Sequence, residues 1–331
     1  MKKMVINKPA YDNYETPVLI ICFNRPQYLE TQLEALRLVK PSTIYLACDG
    51  ERIEHPSDKE KINAVRRGYE KGIDWKCELH TNFSNSNLGC SKGPISAMTW
   101  FFSEVEKGII LEDDIIPSKD FFDFMGVMLN HYQSNAHVIS ISGCTLGYNL
   151  KTVEVFGSKI MNMWGWATWA NRFNQIDFSM NSWKTKKNKK WYLHTRLNNT
   201  IFDLDKNWVA HWKHIFDKTI LEDNVSWWDY QFIYNQLELK KITIYSPKNL
   251  IQNIGFDDDA THTHEKEHFT HHLRFKKLEW PISVTNKPFI DQTFYQNHIK
   301  EIWSFYKKPN WKYYIGNSLK KTWCKLNCFR I

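Results

Sequence analysis

The chain carries neither GxGxxG nor GxxxxGK[ST], which excludes the dinucleotide fingerprint and the P-loop as explanations of any nucleotide site. It has no CxxC pair, and an odd total of seven cysteines, the pattern of reduced thiols rather than a disulfide framework. Glycine and proline are sparse, 13 and 11 in 331 residues, which argues against disorder or a fibre. No apolar stretch approaches a membrane span, and Met1 to Lys8 is followed by no apolar signal core, so a cytoplasmic protein is expected. RNP aromatics, zinc-finger spacing and helix-turn-helix cues are missing too, so nucleic acid is not an expected partner despite a net charge of +8. That charge suits phosphate-bearing ligands or anionic lipid.

What is abundant is aromatic surface and buried-strand pattern. Aromatics make up 15% of the chain, with 15 Trp. An indole has an apolar face and a polar N–H, suited to carbohydrate or to core packing. Pro17–Phe23, Thr43–Cys48 and Gly108–Leu111 are apolar runs of strand length, and Val138–Ser142 and Lys241–Tyr245 also read as strands. Trp75–Thr81 is a shorter candidate. Helical spacing covers Gln27–Leu38, about Ser57–Lys71 (with Ser57 and Glu60 as a capping box), Lys92–Glu106 and Phe121–His131. The alternation predicts an α/β sheet whose strand ends gather polar residues at one edge: Arg25, Asp49 and Asp114. No linker separates the chain into halves.

The chemistry concentrates where Gly108–Leu111 gives way to Glu112, Asp113 and Asp114. Three acids at the end of a buried strand repel one another and favour protonation. A hard divalent cation, Mg²⁺ or Mn²⁺, relieves that penalty and keeps positions open for water and substrate phosphate. The plain alternative is a solvated acidic turn before a helix capped by Ser118. Asp229, flanked by Trp228 and Tyr230, suits a proton acceptor of raised basicity, or equally an acid in the first turn of a helix. Trp166 and Trp169, in Gly165-Trp166-Ala167-Thr168-Trp169, either stack on a sugar or pack in the core. The loop Asn249–His264 is rich in Asp and His, and Asp257–Asp259 reads as a flexible acidic lid.

In order, these motifs resemble the GT-A glycosyltransferases, in particular the N-acetylglucosaminyltransferase I group and bacterial sugar transferases built like it. The likeness runs from about Pro17 to His264. It rests on Asn24-Arg25, Cys48-Asp49-Gly50, the helix from Lys92, Glu112-Asp113-Asp114 with Phe121-Phe122, Gly165-Trp166, and Trp228-Asp229 with its following loop. The resemblance implies a GT-A (Rossmann-like) mixed sheet flanked by helices over 1–300. Residues 1–125 would form the nucleotide-sugar half and 126–300 the acceptor half. It further implies metal-dependent, inverting transfer from a UDP-sugar, N-acetylglucosamine being the sugar it suggests, to a cell-surface glycan or lipid-linked oligosaccharide. Asn24, Arg25, Asp49 and Lys92 would line the nucleotide site, with Asp49 accepting from the uracil N3–H. Asp113 would hold the ribose, Glu112 the donor sugar, Asp114 the metal, and Asp229 would be the base. Trp166, Trp169 and Trp228 would face the acceptor. His262 and His264 depart from that group, and either is a candidate metal ligand because other GT-A enzymes add a C-terminal His to the ion. A retaining enzyme, a non-catalytic sugar-nucleotide or carbohydrate-binding protein on the same fold, and an adhesin using its Trp surface are the alternatives. The stretch 301–331 alternates basic and aromatic residues and reads as a peripheral membrane contact or a docked terminal helix.

Overall fold

Alternate residues of the first long strands point to opposite faces of one sheet, and both faces are apolar, so helices must cover both. The computed structural model describes residues 3–148, 150, 152–197, 206–222, 225, 227–255 and 273–298. Within them the chain runs β1 (Lys3–Ile6), β2 (Val18–Cys22), α1 (Leu29–Arg37), β3 (Thr43–Cys48), α2 (Asp58–Gly72), β4 (Glu78–Phe83) and α3 (Gly89–Glu104). It continues through β5 (Lys107–Glu112), β6 (Ile115–Pro117), α4 (Lys119–His131), β7 (Val138–Ser142), β8 (Phe156–Ser158), β9 (Trp166–Trp169) and α5 (Ala170–Phe173). Helices α6 (Asn181–Thr185), α7 (Lys189–Leu197), α8 (Lys206–Leu221) and α9 (Asp229–Glu238) follow, then β10 (Ile242–Tyr245), β11 (Ile251–Asn253) and β12 (Ile282–Thr285). The chain divides into a compact unit, 1–295, and a second, 296–331. The tail 301–331 lies outside the described residues.

An eight-stranded mixed sheet has the order β4-β3-β2-β5-β9-β7-β10-β8. Strands β4, β3, β2 and β5 are parallel, whereas β9 runs antiparallel to both β5 and β7. This is a Rossmann-type α/β fold, a mixed sheet flanked by helices. Val18, Ile20 and Cys22 lie on one face with Ile44, Leu46, Ile109 and Leu111, packed against Leu33 and Leu36 of α1, Ile62 and Val65 of α2, and α4. On the other face Tyr45 meets Phe101 of α3 edge-on at 5.0 Å. Helix α3 approaches so closely that a Cβ at Gly108 would fall 2.2 Å from the Phe101 ring. Fully burying such side chains contributes roughly 1.5–3 kcal/mol each. Among the described residues no helix is long and apolar enough to cross a membrane.

The chain builds outward from β2 to β3 and β4, then returns through α3 to place β5 on the other side of β2. The order therefore reverses between β2 and β5, which opens a crevice beyond their carboxyl ends. Ser118 caps α4 as expected, its Oγ accepting from Phe121 N at 3.2 Å. The Ser57–Glu60 capping box does not form: Ser57 has helical backbone angles and makes no side-chain cap bond. The Asp58 carboxylate instead turns back to Arg52 and Asn24. Helix α3 starts at Gly89, before the expected Lys92, because a carboxylate from β3 holds its first amide. The expected strand Trp75–Thr81 is displaced to Glu78–Phe83, with Glu78 paired to Thr43.

Candidate functional site

Two loops meet at the crevice. Where β2 ends, Phe23 to Arg25 turn the chain ahead of Pro26. Where β5 ends, Asp113 and Asp114 form a tight turn into β6. Arg25 Nη1 donates to Asp113 Oδ1 at 3.1 Å and to Asp114 Oδ2 at 3.0 Å, and Phe23 N donates to Asp113 Oδ2 at 3.2 Å. Beneath them Gln32 Nε2 donates to the carbonyls of Glu112 at 2.8 Å and Ile115 at 3.1 Å, and Gln32 Oε1 accepts from Tyr69. Gln32 is fully buried and fixes the acidic turn. Sequence reasoning passed over it, although an uncharged polar residue beside Leu33 on the buried stripe of α1 was a visible signal.

Among the described residues the charges do not balance locally. Loss of hydration pushes the Glu112 carboxyl up to about 8, with Asp114 and Asp113 adding repulsion and Arg25 opposing them. Burial and Asp113 also push Asp114 up, to about 6, again against Arg25. Burial works against the Arg25 charge, but Asp113 and Asp114 more than compensate and hold it ionised. Among the described residues one guanidinium thus faces three acids, and it supplies part of the relief expected from a cation. Among the described residues Asp114 Oδ1 is buried with no hydrogen-bond partner. A carboxylate oxygen in that condition fits a hard cation that takes its remaining ligands from water and substrate phosphate. Among the described residues no cluster of three His, Cys, Asp or Glu side chains is arranged to hold an ion. The expected ligands His262 and His264 lie outside the described residues.

Only the start of the Asp- and His-rich loop is described, and it lies directly on Asp114. Strand β11 pairs with β6, placing Asn253 opposite Ile115. Ile254 N then donates to Asp114 O at 2.9 Å. A Cβ at Gly255 would fall 2.1 Å from Asp114 Oδ2, so the chain passes over the carboxylate at a distance only glycine permits.

Asp229 reaches the same edge by a different route. Trp166 in β9 pairs with Ile110 of β5 and stacks on Trp228 with ring centres 6.0 Å apart. Trp228 precedes Asp229, the first residue of α9, whose negative charge suits the helix N-terminus. Ser91 Oγ donates to Trp227 O at 2.8 Å and ties this segment to α3. The charge on Asp229 adds to the forces raising Glu112, so the half-buried Asp229 shares the neighbourhood of the acidic turn.

Other expected site residues have different work. Asp49 Oδ1 accepts from Gly50 N at 2.8 Å and Leu88 N at 2.9 Å, while Oδ2 accepts from Gly89 N at 3.0 Å and Asn87 Nδ2 at 3.1 Å. These donors reach both oxygens of Asp49, the residue expected to meet uracil N3–H, and anchor the start of α3. Asn24 Nδ2 donates to Asp58 Oδ1 at 2.7 Å, so it braces the β2 loop. Lys92 is exposed on the first turns of α3. Trp166, Trp169 and Trp228, expected to face the acceptor, are only 1%, 3% and 6% exposed, as packed indoles are. Both faces of β9 are covered, with Arg172 lying 3.3 Å above the Trp169 ring and Phe232 and Trp228 against Trp166.

No family model matches the chain, and no curated protein matches it in sequence. Among solved structures it is similar to the mannosyltransferase PcManGT from Pyrobaculum calidifontis in complex with GDP-Man and Mn²⁺, at 12% identity over 72% of this chain and 73% of that one, with a TM-score of 0.38. A second is UDP-glucose pyrophosphorylase complexed with UDP-glucose, at 10% identity over 49% of this chain and 78% of that one, with a TM-score of 0.29. Likenesses of this size say nothing about substrate or chemistry.

Proposed function

We propose that the chain is a divalent-cation-dependent glycosyltransferase that takes its sugar from a nucleotide-diphosphate donor at the β2–β5 edge and passes it to a glycan hydroxyl. The observation that carries this reading is the buried turn Glu112–Asp114, whose negative charge, among the described residues, exceeds what Arg25 offsets and whose Asp114 Oδ1 has no partner there. A bound Mn²⁺ or Mg²⁺ would be held by Asp114 and would supply the positive charge that a departing diphosphate needs. Arg25 keeps Asp113 and Asp114 in register and adds its own charge beside the diphosphate. Asp113 accepts from the ribose. Glu112, raised by burial, presents a carboxyl that both donates to and accepts from donor sugar hydroxyls. Asp229 takes the proton of the attacking hydroxyl, which makes the transfer a single displacement with inversion. With Asp49 committed to α3, the proposal leaves the donor's base open.

The test is a thermal-shift panel of UDP-, GDP- and CDP-sugars with and without Mn²⁺. The expected result is stabilisation by one nucleotide class, larger with Mn²⁺, with the Mn²⁺-dependent part lost in Asp114→Asn. Asp229→Asn should retain the shift yet lose transfer by at least about 100-fold, the low end of general-base contributions. Silence across the panel defeats the nucleotide-sugar reading, and full turnover in Asp229→Asn removes Asp229 as base. Anomeric NMR of the product reads inversion directly.

A further inference from the structure

Cys22 and Cys48 end the neighbouring parallel strands β2 and β3 and are direct partners in register. Strands about 4.8 Å apart place the Cα atoms of such a pair within the roughly 4.4–6.8 Å that a disulfide spans. Both side chains point into the same core, at 3% and 2% exposure, and each thiol donates across the strand pair, Cys22 Sγ to Ala47 O at 3.4 Å and Cys48 Sγ to Phe23 O at 3.6 Å. Arg66 sits beside them. Its Nη2 donates to the carbonyls of Cys48, Asp49 and Ser84, and among the described residues its Nε is buried without a partner. The pair is therefore asymmetric. Burial pushes the Cys22 thiol up, whereas the neighbouring Cys22 thiol, and after it Arg66, draws Cys48 down despite its burial.

We propose that Cys22 and Cys48 form a reversible redox site that closes to a disulfide under a hydroperoxide. The Cys48 thiolate attacks the peroxide oxygen, forming an S–O bond as the O–O bond breaks, and the departing alkoxide or hydroxide takes a proton from water. Cys22 then attacks the Cys48 sulfur. The S–S bond forms, the S–O bond breaks, and hydroxide leaves with the Cys22 proton as water. Two thiols lose two electrons, and the hydroperoxide is reduced to an alcohol, or water, plus water. The pair lies next to groups that shape the crevice: Phe23, whose amide binds Asp113, follows Cys22, and Asp49, which anchors α3, follows Cys48. Drawing the sulfurs together shifts both. This consequence rests on the function proposed above, whereas the disulfide itself does not.

The full chain, reduced and then treated with hydrogen peroxide, is alkylated and mapped by non-reducing peptide mass spectrometry. A peptide linked through Cys22 and Cys48 and released by dithiothreitol is expected, as is dimedone-trappable sulfenic acid at Cys48 in Cys22→Ser. The same map reads the exposed Cys90 as a control. In a parallel calorimetric titration, Mn²⁺ with UDP or GDP is expected to bind the oxidised form on the order of 10- to 100-fold more weakly, the range that loss of outer-shell support costs. A map in which Cys48 is sulfenylated but unlinked, or paired elsewhere, overturns the site. A linked peptide with unchanged nucleotide affinity overturns its influence on the crevice. If the reduced protein binds neither nucleotide, the proposed function fails while the map still decides the redox site.

Discussion

Replacing Arg25 with Met keeps most of the side-chain volume and removes the guanidinium that bonds both Asp113 and Asp114. All three side chains are shielded from water, at 16%, 10% and 12% exposure, so the loss is that of one partner from a buried ion cluster, about 3–5 kcal/mol. The cost must depend on pH. Asp114 is already raised to about 6 and Glu112 to about 8 with Arg25 in place, so the folded state binds protons that the unfolded chain releases. For an acid raised in this way, stability falls as pH climbs from the ordinary carboxylate range through the folded value. Arg25→Met raises these groups further and steepens that fall. At about pH 5 protons replace the guanidinium and the penalty shrinks toward that of the lost hydrogen bonds, about 1–3 kcal/mol. Urea denaturation of both proteins at about pH 5 and about pH 8 measures the difference. An equal penalty at the two values would refute the claim that Arg25 acts by offsetting the acidic turn.

Gly255→Ala forces a methyl group onto the Asp114 carboxylate and should cost about 1–3 kcal/mol in urea denaturation, with Mn²⁺-dependent nucleotide binding lost alongside. Trp228→Ala removes the stack that carries Asp229 to the strand end. It should lower stability by about 3–5 kcal/mol and restore the ordinary titration of Glu112 in part, read by carboxyl NMR. Asp58 is held at about 2, chiefly by its bonds to Arg52, so its contribution is present above about pH 4 and disappears as pH falls through about 2. Because Arg52 is partly in water, Arg52→Met should remove only about 1–2 kcal/mol at neutral pH and nothing at about pH 2, checked by thermal denaturation across that range.

The apolar runs of β2, β3 and β5 were legible because a strand buried on both faces favours apolar residues, and polar residues mark its end. The acidic turn was legible for the same reason, since charges so close to a buried strand demand compensation. The compensating group was not legible. Arg25 lies 88 residues from Asp113, and only the reversal of strand order between β2 and β5 makes them neighbours.

Residue type alone likewise left Asp49 and the tryptophans open. A strand-end carboxylate can meet a ligand or cap a helix, and the path of α3 back across the sheet decided for the cap. An indole can face a sugar or a core, and inserting β9 antiparallel between two strands covered both of its faces. Local sequence determined which segments must be buried and where charge interrupts them, because the hydrophobic effect and desolvation act on each segment wherever it lies. Tertiary structure decided which charges meet and which oxygens stay open, because those depend on the spatial order of strands that short-range pattern does not encode.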